Sequence, residues 1–319
     1  MIQFIRALLI RVLQFKEKIW SGLFIKLPGL FTKGHQYLKR KYGGLYYGNT
    51  LDYEVNRTAR KIYQNSKKMS KIKPNLDSKF LSKNGYIDFG YSNVDQVLMK
   101  QIKNEFESAI IDPKYSIYPF DDEKIRAAYN HGGYEGSVRE YRRDIIDCST
   151  AIPTITKLIH SIDFIKLIEN TIGCKFEYDG IYGWRICHTP DEILQKFEVI
   201  TNRFHFDGQF PYRFKIFIYL NDVTEKNGPF QHFSKFYSKF LLWKGFKEEF
   251  RTKAMTGNLP ANIANSKHLI KHVGSLGSMV LCATSFCLHR AGEPAFDYYR
   301  DILQICVIPK KFNIGGQCG

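Results

Sequence analysis

The chain has 319 residues, of which 44% are hydrophobic and 15% aromatic, and its formal net charge is +16. This composition excludes a disordered or collagen-like chain, and the length allows one large domain with an extension or two smaller domains. The seven cysteines are odd in number and form no C-x-x-C pair, which argues against a disulfide scaffold or a zinc module. We therefore expect reduced, mostly buried thiols and a cytoplasmic protein.

The positive charge is concentrated at the N-terminus. Residues 1–73 contain 16 Lys and Arg against three Asp and Glu, so this segment carries +13 of the total of +16. Its first 31 residues interleave apolar and basic side chains, and no uncharged run is long enough to span a bilayer. Arg6 and Arg11 interrupt any signal-peptide core. We therefore expect neither a signal peptide nor a transmembrane helix.

Three interpretations of residues 1–73 stay open. The segment can form helices that pack on the domain with solvated lysines, or it can bind an anionic membrane surface peripherally, where apolar burial and charge attraction add. Nucleic-acid binding is the least favoured, because the remaining 246 residues are close to neutral.

The pattern of apolar residues changes along the chain. Residues 92–110 and 151–172 show helical spacing. After Gly173, short apolar or aromatic runs are broken by Gly, Pro, Asn and Asp, and we expect a strand in each of eight runs: 180–187, 197–206, 214–220, 230–233, 269–273, 279–283, 286–291 and 301–309. This succession favours a mainly β fold, a jelly-roll barrel with helices packed on one sheet. A long aromatic-rich interruption at about 237–268 favours an ordered lid or substrate wall.

The triplet His205-Phe206-Asp207 is the most informative pattern in the chain. Alternation along a strand places His205 and Asp207 on one face and Phe206 on the other. His289 follows in a later strand-like run. Two imidazoles and one carboxylate are the facial ligand set that binds Fe(II) and leaves positions open for co-substrate and oxygen. We therefore predict that these three residues bind a metal.

Arg300 follows His289 at a spacing of eleven residues and begins the last apolar run. A guanidinium pairs bidentately with a carboxylate, so an arginine here can hold the far carboxylate of a 2-oxo acid. The alternative is a surface arginine at the first position of a strand.

This order of motifs resembles the phytanoyl-CoA dioxygenase (PhyH)-like family of Fe(II)/2-oxoglutarate-dependent dioxygenases. The features that carry the resemblance are the H-x-D strand, the Asn227-Gly228-Pro229 turn, the 277–281 strand, the His289-Arg290-Ala291-Gly292 segment and Arg300. The resemblance covers roughly residues 78–309. It implies a double-stranded β-helix (jelly-roll, cupin-like) core buttressed by N-terminal helices at 78–319, with a basic extension at 1–77.

The resemblance also implies an activity. The enzyme would be an oxygenase that uses Fe(II), 2-oxoglutarate and O₂, with His205, Asp207 and His289 as catalytic iron ligands and Arg300 binding 2-oxoglutarate. It would hydroxylate a small-molecule, lipid or glycan-type substrate and release succinate and CO₂. Two alternatives stay open: a jelly-roll scaffold or peripheral-membrane protein that has lost turnover, and a cupin-fold protein that uses the same ligands without a 2-oxo acid.

Four aromatic residues are further candidates for this pocket. Phe217 and Tyr219 share one face of a predicted strand, and Tyr182 and Trp184 share one face of an earlier strand. We expect Phe217 and Trp184 beside 2-oxoglutarate and Tyr182 and Tyr219 beside the substrate, although ordinary core packing is the competing interpretation.

The membrane interpretation of the N-terminus can be tested directly. Deletion of residues 1–31 should weaken co-sedimentation with anionic liposomes, because it removes the apolar and basic side chains together. Neutral liposomes serve as the control. Unchanged sedimentation of the deletion variant, or none for the full chain, would contradict the hypothesis.

Overall fold

The computed structural model describes residues 60–90, 95–117, 142–188, 204–207, 212–243 and 266–310. The helices in these ranges are α1 (60–70), α2 (Leu76–Asn84), α3 (Gln96–Ile111), α4 (Cys148–Ala151), α5 (Pro153–Ile159), α6 (Ile162–Ile172) and α7 (Lys235–Trp243). The strands are β1 (Tyr86–Gly90), β2 (Ser116–Ile117), β3 (Arg142–Ile145), β4 (Phe176–Cys187), β5 (Phe214–Tyr219), β6 (Phe230–Phe233), β7 (Leu269–His272), β8 (Met279–Cys282), β9 (His289–Ala291) and β10 (Tyr299–Pro309).

The strands form two antiparallel sheets. The major sheet has the order β1-β8-β5-β10-β4-β3-β2, and the minor sheet has the order β7-β6-β9. Phe217 and Ile302 of the major sheet share one apolar cluster with Phe230 of the minor sheet, so the sheets pack face to face. This is a mainly β arrangement of the predicted kind, and its antiparallel strand pairs differ from the parallel sheet of a doubly wound fold.

Alternation along the strands gives the major sheet two apolar faces. On β5, Ile216 and Ile218 join the large cluster that includes the helices, whereas Phe217 and Tyr219 join the cluster between the sheets. Helices α3, α5 and α6 cover the outer face with buried residues such as Phe106. The inner face is therefore the one available for a site between the sheets.

The predicted helices and strands agree with most of the described elements. The segment 151–172 contains a break, because α5 ends at Ile159 and Ser161 begins α6 by accepting a hydrogen bond from the Phe164 amide. Strands β1, β2 and β3 were not predicted. They are short, and their burial patterns lack a long apolar run.

Part of the basic N-terminal segment lies against the domain. In α1, the Tyr63 hydroxyl donates to the Ile172 carbonyl at 2.8 Å, and its ring stacks on Tyr212. Residues 1–59 and most of the predicted lid, 244–265, lie outside the described residues, so the 77/78 boundary and the lid stay predictions. None of the helices in the described ranges has the length and apolar character needed to cross a bilayer.

Tyr219 connects the two sheets through its hydroxyl. The hydroxyl donates to the His272 carbonyl of β7 at 2.7 Å and accepts from the Phe230 amide of β6 at 3.0 Å. All three residues are buried. Two backbone groups of the minor sheet therefore depend on one side chain of the major sheet.

Replacing Tyr219 should measure how much its hydroxyl contributes to the stability of the fold. In Tyr219→Phe, a buried amide and a buried carbonyl lose their partner, and we expect the free energy of unfolding to fall by about 2 kcal/mol. Urea unfolding followed by circular dichroism would measure it. Tyr298→Phe is the control, since Tyr298 is 36% exposed. Equal unfolding midpoints for the two variants would show that the hydroxyl does not couple the sheets.

Candidate metal and anion site

His205 and His289 are placed opposite each other by backbone pairing. The His205 amide donates to the His289 carbonyl at 2.8 Å, and the His289 amide donates to the His205 carbonyl at 3.0 Å. The Asp207 amide donates to the Thr284 carbonyl at 3.3 Å. These bonds hold the 204–207 segment beside β9. Because directly opposite residues of an antiparallel pair project their side chains to the same side, the imidazoles of His205 and His289 do so too.

The three predicted ligands come together at this point. One ligand atom from each of His205, Asp207 and His289 lies within 4.8 Å of the others. The His205 Nε2 is 4.0 Å from Asp207 Oδ1, and the His289 Nε2 is 3.7 Å from Asp207 Oδ2. Among the described residues, only one other group of at least three His, Cys, Asp or Glu side chains comes this close together.

The protonation of His289 suits a metal ligand. Its Nδ1 lies 3.0 Å from the Cys287 carbonyl, which can only accept, so Nδ1 carries the proton and the Nε2 lone pair faces Asp207. Burial, and after it the neighbouring His205, lower the pKa of His289 to about 3. The imidazole is therefore neutral at physiological pH, as metal coordination requires.

Lys215 is a member of this cluster that sequence analysis missed. Its Nζ lies 2.7 Å from Asp207 Oδ2, and both side chains are largely buried. Burial would raise the pKa of Asp207, but His289, the Lys215 ammonium and hydrogen bonds from Lys215 and Thr284 hold it well below its usual range. The alternation that placed Phe217 and Tyr219 on one face also places Lys215 there, so this signal was available in the sequence.

Arg300 is a buried cation without a carboxylate partner in the described part of the chain. Its side chain is 2% exposed, its Nη1 donates to the Gly292 carbonyl at 3.2 Å, and its Nε has no hydrogen-bond partner there. Burial lowers the pKa of Arg300, yet a guanidinium remains protonated in proteins. The charge of Glu293 raises the pKa of Arg300, but none of the described carboxylates forms an ion pair with the guanidinium. A buried charge without a direct ion-pair partner is costly, so this position favours an anionic ligand.

The four predicted pocket aromatics share the inner face with Arg300. On β10, Arg300, Ile302 and Gln304 alternate onto one face. The strands on either side place one aromatic residue opposite each of the last two: Trp184 and Tyr219 lie opposite Ile302, and Tyr182 and Phe217 lie opposite Gln304. All four aromatic residues are therefore on the face to which Arg300 belongs. Phe217 is buried, whereas Tyr182 is 42% exposed. The hydroxyl of Tyr219 is already used between the sheets. Contacts with a ligand stay predictions for all four.

Phe230 is a further residue that sequence analysis missed. Its ring lies 4.4 Å from that of Phe217 and 5.8 Å from that of His289, measured between centroids. It therefore forms an apolar wall between β5 and the metal-ligand cluster. Phe230 directly follows the Asn227-Gly228-Pro229 turn, and the sequence identified it only as the first residue of a short predicted strand.

Comparison with known proteins gives a fold but no sequence family. No protein-family model matches the sequence, and no curated protein matches it. The non-heme α-ketoglutarate-dependent epimerase SnoN from nogalamycin biosynthesis aligns with a TM-score of 0.51 and 12% identity, over 72% of this chain and 81% of that one. The predicted jelly-roll fold is therefore confirmed.

Two further solved structures align less closely. HygX from Streptomyces hygroscopicus, solved with nickel, 2-oxoglutarate and hygromycin B bound, gives a TM-score of 0.46 and 11% identity over 75% of this chain and 88% of that one. AviO1 from Streptomyces viridochromogenes Tue57 gives a TM-score of 0.43 and 12% identity, over 77% of this chain and 100% of that one. At these identities the likeness concerns the fold, and the chemistry has to be argued from the site.

Lys215 should compete with a metal for Asp207. In Lys215→Met we expect Mn²⁺ to bind about tenfold more tightly, because the cation beside the Asp207 carboxylate is gone. Electron paramagnetic resonance of free Mn²⁺ would measure the dissociation constant. Lys271→Met is the matched control, since it removes an exposed ion pair, to Glu225. Weaker binding in Lys215→Met than in that control would mean that Lys215 supports the site.

Proposed function

We propose that this protein is an Fe(II)- and 2-oxoglutarate-dependent oxygenase that hydroxylates a small-molecule substrate. The observation that carries the proposal is the convergence of His205, Asp207 and His289 beside β9 of the minor sheet, with the buried Arg300 on β10 of the major sheet. The SnoN likeness supports the fold in which such a site is built. The finer assignment to the PhyH-like branch rests on the sequence motifs.

The donor set fits iron. Two imidazoles and one carboxylate supply three ligands and leave coordination positions for a chelating co-substrate and for O₂. Bound Fe(II) would supply the redox chemistry that couples decarboxylation of 2-oxoglutarate, with release of succinate and CO₂, to hydroxylation of the substrate. The Cys287 carbonyl orients His289, and the backbone pairing with His289 orients His205.

Arg300 fits the far carboxylate of 2-oxoglutarate. Its guanidinium is fully charged, buried and free of a carboxylate partner among the described residues, so a dianionic co-substrate would provide the missing counter-charge. Ile302 lies two residues further along β10 and presents only an apolar side chain. Arg300 therefore holds the carboxylate without a hydroxyl donor from that position.

Lys215 and the aromatic residues have supporting roles. Lys215 balances the charge of Asp207 through its ion pair with Oδ2 and competes with a metal for that carboxylate. Phe217, Phe230 and Trp184 form apolar walls that exclude water from the reacting atoms. The segment 237–268 is proposed as the lid on the substrate side. Its first part is α7, whose Leu241 is buried with Phe233 and Leu288.

The role of Arg300 has a spectroscopic test. Anaerobic addition of Fe(II) and 2-oxoglutarate should give the weak visible metal-to-ligand charge-transfer band, and Arg300→Ala should raise the 2-oxoglutarate concentration at half-saturation about 100-fold, since a charge-assisted bidentate contact is lost. Arg290→Gln is the control, because Arg290 contacts Gln231 and the Phe204 ring. No band with the unmutated protein would favour a scaffold without turnover. An unchanged half-saturation in Arg300→Ala would favour a barrel that does not use a 2-oxo acid.

The role of Asp207 has a turnover test. In Asp207→Ala, 2-oxoglutarate-dependent formation of succinate should fall to the background without protein, because the only carboxylate of the predicted ligand set is removed. Circular dichroism checks that the variant is folded. Asp163→Ala, which changes an exposed carboxylate on α6, should retain activity. Succinate formation at the unmutated rate in Asp207→Ala would refute the ligand assignment.

A further inference from the structure

A second cluster of metal-binding side chains lies between the sheets. His232, Cys282 and Cys287 each contribute one ligand atom, these atoms lie within 4.8 Å of one another, and all three residues are fully buried. His232 belongs to β6 of the minor sheet and Cys282 to β8 of the major sheet. Cys287 lies in the turn before β9. The cluster uses none of the residues assigned to iron or 2-oxoglutarate.

Two histidines of this region meet through their Nε2 atoms. The His232 Nε2 lies 2.8 Å from the His272 Nε2, with ring centroids 5.0 Å apart and ring planes within 11°. The His272 Nδ1 lies 2.9 Å from Asp88 Oδ2, and the His232 Nδ1 lies 3.0 Å from the Phe233 carbonyl. Both acceptors require the proton on Nδ1, which leaves two Nε2 lone pairs facing each other.

Two Nε2 atoms 2.8 Å apart need a hydrogen or a cation between them, because two bare lone pairs would repel each other. The Nδ1 contacts of His232 and His272 are of the kind that metal-binding imidazoles make, since such imidazoles donate their second N–H to a carboxylate or a backbone carbonyl. Two thiols of the cluster lie on the same side of the barrel, next to His232.

The close approach of Cys287 depends on Gly85. A β carbon at Gly85 would collide with the Cys287 Sγ, and Gly85 also has a φ of 85°, which disfavours other residues. The glycine at the end of α2 therefore leaves the space in which the Cys287 thiol joins the cluster. The other four described cysteines belong to no such group.

We propose that His232, His272, Cys282 and Cys287 bind a thiophilic divalent cation of the zinc class, at a second site separate from His205, Asp207 and His289. Two thiolates and two imidazoles form a tetrahedral set that such a cation prefers. Tetrahedral ligand atoms lie roughly 3.3–3.8 Å apart for bonds of about 2.0–2.3 Å. His272 meets this group through the His232 Nε2 and is not itself within 4.8 Å of every ligand atom of the group. Binding therefore separates the two Nε2 atoms by about half an ångström, draws the sulfurs inward and moves the His272 imidazole toward them.

The site is structural, because its four ligands are buried and leave no open position. The ligands come from β6, β7, β8 and the turn before β9, so the cation ties both sheets together. Cys287 lies two residues before His289, and its carbonyl accepts from the His289 Nδ1. The cation therefore also fixes the backbone that orients His289.

Cobalt titration of the full chain tests the proposal. Under argon with a phosphine reductant, Co²⁺ should give a near-ultraviolet thiolate-to-cobalt charge-transfer band at one equivalent, and the visible bands of tetrahedral cobalt. The His205, Asp207 and His289 set contains no sulfur, so this band reports only cysteine ligands. Asp207→Ala should keep the band and lose the second equivalent of cobalt, which separates this proposal from the proposed function.

Variants of the thiols identify the ligands. Cys282→Ser and Cys287→Ser should each weaken the band, because one thiolate remains, and the double variant should lose it. Cys306→Ser, at a buried thiol of β10, should keep the full band. In Asp207→Ala loaded with zinc, a chelator should lower the thermal midpoint by about 5 °C or more. The absence of a thiolate band in the reduced, unmutated chain with excess cobalt overturns the proposal, and that measurement needs no variant to fold. A band of undiminished intensity in both single variants, a band that survives in the double variant, or a band that disappears in Cys306→Ser also overturns it.

Discussion

The reciprocal backbone hydrogen bonds between His205 and His289 are the contact on which the candidate site depends. They bring the 204–207 segment beside β9 although the two histidines are far apart in the chain. Because the residues are directly opposite, both imidazoles project to the same side, and alternation then adds Asp207. The three side chains converge through backbone geometry.

Buried charge is the second constraint on the site. Lys215 and Asp207 neutralise each other in a largely buried place, which limits the cost of removing both from water. Arg300 has no such partner among the described residues. The fold thus keeps one compensated and one uncompensated charge on the inner face of the same sheet. A metal and an anionic co-substrate are the ligands whose charges complement this arrangement.

The space between the sheets contains a polar chain as well as the candidate iron site. Asp88, His272 and His232 form a line of hydrogen bonds that begins at a half-exposed carboxylate and ends beside two buried thiols. Cys287 belongs to this cluster, and its carbonyl also orients His289. The two clusters are therefore connected through three consecutive residues of the chain, from Cys287 to His289.

The sequence by itself determined the fold class and the ligand set that converges. Period-two alternation separated His205 and Asp207 from Phe206, and the same rule placed Phe217 with Tyr219, because the side-chain direction in a strand is a local property. It would also have identified Lys215 as inward-facing. Only the tertiary structure decided which inward residues meet. The partnerships of Lys215 with Asp207 and of His232 with His272 and Asp88 depend on sheet order and register, which long-range pairing sets. The cysteines also could not be grouped from the sequence, because their spacing has no zinc signature. In the structure, β8 and the following turn bring Cys282 and Cys287 together with His232 from the other sheet.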